Sequence, residues 1–75
     1  MNFANKQPPA LGVLPPLLSV EDTRAMLGGR GRGWVYERIA DGDFESIVDG
    51  SRRLIVSESV LRWIEAKRAE AAQQL

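Results

Sequence analysis

Four arginines in two pairs, Arg30 with Arg32 and Arg52 with Arg53, are the side chains in this sequence best suited to chemistry. A guanidinium presents a rigid fork of donors that clamps a phosphate, or reads a guanine edge, through paired hydrogen bonds. The first pair lies in the glycine-broken run Gly28-Gly29-Arg30-Gly31-Arg32-Gly33, and the second follows Asp49-Gly50-Ser51. Trp34, Tyr36, Glu37 and Arg38 come directly after the first pair and complete the set of candidate contact residues. Tyr36 offers a hydroxyl to a phosphate, and Glu37 can accept from cytosine N4.

The chemistry that is missing narrows the field as much. There is no Cys and no His in 75 residues, so thiol nucleophiles, the usual neutral-pH acid/base group and the common zinc ligands are lacking. A chain of this size buries too little surface to shape a deep catalytic cleft beside its core. The expectation is a non-enzymatic protein with no catalytic residues, no metal, no cofactor and no small-molecule substrate. No apolar run approaches the roughly 20 residues of a membrane span, which predicts a cytoplasmic protein without a membrane partner.

Ten basic residues balance ten acidic ones, which counts against a polycation that clings to any phosphate. Distribution matters more: the paired arginines fall in a turn and a hairpin, whereas Glu58, Glu65 and Glu70 fall on a C-terminal helix. A neutral total with a local basic patch suits a protein whose grip is increased by neighbouring copies or a larger partner.

The elements that must position these side chains follow from local signals. Pro8, Pro9, Pro15 and Pro16 make residues 1–17 a flexible arm, whose last apolar residues fold back on the core. Ser19, with Asp22 three residues on, predicts a capping box opening a helix over about 19–27, which Gly28-Gly29 stops. Val35 and Ile39, one turn apart, predict a second helix over about 33–41. A step of about 100° per residue places Gly33, Glu37 and Asp41 on its far side, with Trp34 and Tyr36 on the flanks. Trp34 is read as the edge of the core more than as a groove contact. Phe44 to Val56, centred on Asp49-Gly50, predicts a hairpin, with Leu54 and Val56 facing inward and Arg53 and Ile55 outward. Ser57 is expected to cap a final helix over about 57–73, on which Val60, Leu61 and Ile64 repeat at core spacing and Trp63 borders the stripe.

The expected core is Val20, Met26, Leu27, Val35, Ile39, Phe44, Ile47, Leu54, Val56, Val60, Leu61 and Ile64. The expected fold is mainly α with a small β-hairpin wing, a winged helix-turn-helix over residues 18–75. The glycine run has two rival readings: a nucleotide-binding loop, which needs a preceding strand and a Walker lysine or complete Rossmann unit, and an Arg-Gly RNA-binding tract, which normally uses longer disordered repeats.

The runs LLSVEDTRAMLG, WVYERIADGDF and IVDGSRRLIVSESVLRWIEAK, in this order across residues 17–68, resemble the excisionase and AlpA-like proteins related to the MerR winged-helix group. The turn GGRGRG is about one residue longer and richer in glycine than that family's usual turn. The resemblance implies a small protein that binds double-stranded DNA through Arg30, Arg32, Gly33, Trp34, Tyr36, Glu37, Arg38, Arg52 and Arg53. It further implies an excisionase, or recombination directionality factor, that binds repeated sites beside neighbouring protomers, bends the DNA and directs an integrase toward excision. Nucleoid association follows from that role. The alternatives are an AlpA-like transcriptional regulator of a prophage or mobile element, and a protein-interaction module in which the wing and Ile55 dock a partner.

Overall fold

The computed structural model describes residues 14–74; most of the proline-rich arm expected over 1–17 lies outside them. Three helices and three strands follow one another as β1 (Leu17–Ser19), α1 (Val20–Met26), α2 (Arg32–Ala40), β2 (Ser46–Asp49), β3 (Arg52–Val56) and α3 (Ser57–Gln73). The strands form one antiparallel sheet in the order β1-β3-β2. The molecule is thus mixed α/β, and the hairpin carries an additional strand that the sequence reading did not assign.

Side chains and glycines set the helix ends. Ser19 Oγ accepts a hydrogen bond from the Asp22 amide at 2.9 Å, satisfying one of the free donors of the first turn of α1. The return bond of the expected capping box is not formed; instead the buried Thr23 hydroxyl donates to the Ser19 carbonyl at 2.9 Å. Both α1 and α2 then stop in the same way. The Gly28 amide donates to the Ala25 carbonyl and the Gly29 amide to the Arg24 carbonyl, while Gly42 and Asp43 repeat the pattern on Ile39 and Arg38. This is the Schellman arrangement, which requires a left-handed residue just past the helix, and Gly28 (φ 86°) and Gly42 (φ 85°) supply it without a Cβ clash.

The start of α3 departs from expectation. Ser57 does not cap the helix but forms its first residue, and its amide and hydroxyl both donate to the Pro16 carbonyl, at 2.9 and 3.1 Å. Ser59, buried in the first turn, donates to the Val56 carbonyl at 2.7 Å and accepts from the Glu45 amide at 2.9 Å. These two serines fasten both the segment before β1 and the segment before β2 to the root of α3.

The pleat of β3 is opposite to the sequence reading. Ile55 is fully buried, Leu54 and Val56 are half-buried, and Ile47, expected inside, is exposed. Leu54-Ile55-Val56 is apolar at every position, so either phase buries hydrophobic area and β3 alone is close to indifferent. The first strand decides. Leu18 pairs opposite Ile55, and Ser19 opposite Leu54, so the phase that faces Ile55 to the helices also buries Leu18. Arg53 shares the helix-facing side with Ile55, which corrects its expected outward position.

Leu18, Val20, Val35, Phe44, Ile55 and Val60 make the buried core, with Leu14, Met26, Leu27, Trp34, Ile39, Trp63 and Ile64 packed against it. Leu61, expected in the core, is only half-buried. Trp34, Phe44 and Trp63 form a triangle of edge-to-face contacts with centroids 5.5–6.0 Å apart. Such pairs add roughly 0.5–1.5 kcal/mol each beyond their burial, so the triangle is a main tie of α2 and α3 to the strand entrance at Phe44. Both tryptophans therefore border the core, as read from the sequence.

Candidate functional site

An open groove lies between the hairpin β2–β3 and the starts of α1 and α2. Ser19, Val20, Glu21, Arg32, Tyr36, Val48, Ser51, Arg52 and Arg53 line it. Each wall has a reason to be where it is. Glycine-terminated α1 turns the chain so that Arg32 becomes the first residue of α2, and one helical turn later Tyr36 lies on the same side. Opposite, the register Val48↔Arg53 sets both side chains on the helix-facing side of the sheet, beyond the cover of the core.

Tyr36 is the centre of this arrangement. Its ring lies 5.6 Å from the Arg32 guanidinium and 5.7 Å from that of Arg53, within range of cation–π attraction, and its hydroxyl accepts from Arg32 Nη2 at 3.2 Å. Arg53 Nη1 also donates to Ser46 Oγ at 2.9 Å, across the sheet. One aromatic ring thus holds two cations from different elements beside each other without a carboxylate between them.

One acidic side chain enters the groove. Glu21, in the first turn of α1, accepts from Arg24 Nη1 at 2.8 Å and from Arg32 Nη1 at 2.7 Å, each through a different carboxylate oxygen. The Arg32 hydrogen bond holds the Glu21 carboxyl below the usual carboxylate range against the opposing effect of desolvation, helped by the positive charges of Arg24 and Arg32. Sequence reasoning passed over this residue. Its only signal was an acid at the start of a helix whose far end leads into an arginine-bearing turn, and the partner is 11 positions away.

The remaining sequence candidates divide. Arg30 is outside the groove lining; its guanidinium lies 4.3 Å over the Trp34 ring, while its carbonyl accepts from Arg24 Nε at 2.7 Å. Arg38 is folded onto Asp41 and Asp43 at 2.9 and 3.3 Å and also lies over Trp34, so its head is committed to the end of α2. Gly33 and Glu37 are exposed, and Glu37 has no ion pair among the described residues. A Cβ at Gly33 would meet nothing within 4 Å, so the backbone there is open to approach. Arg30, Arg52 and Arg53 have no carboxylate partner among the described residues.

Among the described residues no group of His, Cys, Asp and Glu is arranged to hold a metal ion, and no helix is long and apolar enough to cross a membrane. The groove offers guanidinium donors and an aromatic hydroxyl, beside one carboxylate that already engages Arg32. Comparison of the chain with protein-family models, with curated proteins and with solved structures finds no match in any of the three.

Proposed function

We propose that this protein is a winged helix-turn-helix that binds double-stranded DNA, and that it acts as an excisionase-type directionality factor. The observation that carries the reading is the convergence of Arg32 and Arg53 on Tyr36 in one open groove that Arg52 also lines. In this reading α2 enters the major groove with Gly33 and Glu37 outermost, and the hairpin reaches the adjacent minor groove or backbone with Arg52 and Arg53. Holding both surfaces at once bends the duplex, at a cost on the order of a few kcal/mol offset by the added contacts. The bent DNA then presents an integrase with the geometry for excision, and copies on neighbouring sites reinforce one another.

Arg30 stacked on Trp34 extends the same basic surface from the turn side, and the resemblance of residues 17–68 to excisionase and AlpA-like proteins points the same way. The reading of Ile55 as a docking residue for a protein partner is set aside, because that side chain is buried.

A mobility-shift titration over salt is the direct test. With Arg32 engaged by Glu21, neutralising two phosphates through Arg52 and Arg53 predicts that log K falls with log salt at a slope of about −2. Affinity for duplex oligonucleotides that is absent at low salt would remove the reading altogether. Footprinting on the DNA around the gene then separates the two roles: repeated sites beside an integrase attachment site mark excision, and a site over a promoter marks transcriptional regulation.

A further inference from the structure

Glu21 is the one acidic side chain in an otherwise basic groove, and it occupies the donors that a phosphate would use. Its two oxygens separately engage Arg24 and Arg32, at 2.8 and 2.7 Å, and Arg32 in turn donates to the Tyr36 hydroxyl. A carboxylate that bridges two guanidinium groups presents them with the same charge and the same spread of acceptor oxygens as a phosphodiester. The contrast within the groove supports this: among the described residues Arg52 and Arg53 have no acidic partner, whereas Arg32 is satisfied internally. Both partners remain exposed, with side-chain accessibilities of 62% for Glu21 and 53% for Arg32, so the pair is open to exchange with an incoming anion.

We propose that Glu21 is an internal phosphate surrogate that competes with the DNA backbone for Arg32 and thereby holds down affinity for any duplex regardless of sequence. This rests on the proposed DNA-binding role and adds to it a means of restraint. A register in which the rest of the groove fits closely displaces the carboxylate from Arg32, whereas a loosely fitting one does not. Glu21 acts through Arg32 and is a positioning residue, with no requirement to touch a base.

The test uses the full chain and a duplex of arbitrary sequence, with binding measured across a salt series. Glu21→Gln keeps the length and one acceptor oxygen but removes the charge, and is expected to tighten binding about two- to fivefold, the scale set by an exposed ion pair. It should also steepen the salt slope by about one, because one more phosphate is neutralised. Glu58→Gln on α3, outside the groove lining and equal in charge change, is expected to leave both values unchanged. In an Arg32→Ala background the gain from Glu21→Gln should shrink below about twofold, since interacting residues do not add.

Unchanged or weaker binding by Glu21→Gln, with an unaltered melting curve, would overturn the proposal. So would an equal gain from Glu58→Gln, which reports net charge alone, or an undiminished gain without Arg32. If wild type binds and loses affinity on Arg52→Ala/Arg53→Ala while Glu21→Gln has no effect, the brake fails and the DNA-binding role stands. If wild type, Glu21→Gln and the salt series all show no binding, both fall.

Discussion

The hairpin and α3 treat positive charge in opposite ways. On α3 every described cation is answered from within the helix: Arg62 by Glu58, Lys67 by Glu70 and Arg68 by Glu65, at three- or four-residue spacing. On the hairpin, Arg52 and Arg53 have no such answer among the described residues, although Asp49 pairs with Arg52 across the strands. Exposed pairs of the helical kind contribute about 0.3–0.5 kcal/mol and cancel the local field. A small protein of zero net charge therefore has a neutralised helix and an unneutralised hairpin, and the difference concerns attraction at a distance more than stability.

The largest effect that can break the comparison is loss of the hairpin's anchorage. Ile55→Ala should cost about 2–5 kcal/mol in denaturant unfolding, as removal of a fully buried side chain does, whereas Ile47→Ala on the same hairpin should cost under about 1 kcal/mol. Equal costs would contradict the pleat described for β3. Next comes the charge itself. Arg52→Ala/Arg53→Ala should weaken duplex binding by about 2–4 kcal/mol, from the loss of two charge-assisted contacts, while the melting temperature stays close to wild type. The matched change on α3, Arg62→Ala/Arg68→Ala, should alter binding and stability by less than about 0.5 kcal/mol each. If the α3 change weakens binding as much, the free and paired arginines are not functionally different.

The smallest effect sharpens the picture of Glu21. Its folded carboxyl titrates below the unfolded one, so its contribution to stability is present above the unfolded value and is lost as pH falls through the folded value. Titration of the Glu21 side-chain carboxyl by NMR should show this depression in wild type and a shift back upward in Arg32→Ala. A titration unaffected by Arg32→Ala would mean that the 2.7 Å bond does not persist in solution.

The sequence was most informative where a residue's stereochemistry leaves few options. Ser19 and Gly28-Gly29 mark helix ends, because free amides and left-handed turns accept few residue types, and Asp49-Gly50 marked the hairpin for the same reason. The phase of β3 was not legible. Three adjacent apolar residues erase the alternation that reports a strand's faces, and the deciding partner, Leu18, lies in a short strand preceded by prolines that reads as an arm. The site was half legible. Arg32, Tyr36, Arg52 and Arg53 were singled out and are assembled in one groove, but the pairing of Arg38 with Asp41 and Asp43 was missed despite its close spacing. The Glu21–Arg32 bridge was beyond reach, since it depends on the angle at which α1 meets α2.

The grip of Ser57 on the Pro16 carbonyl has a consequence for the order of assembly. The two residues are 41 positions apart, whereas β2 and β3 meet across a tight turn. Closing a long loop is entropically costlier and slower than zipping a hairpin, so the two-strand unit forms early and the first strand seals the sheet late. Because that late strand is the one that fixes which side of Ile55 faces inward, commitment to the native pleat belongs to the final stage of folding.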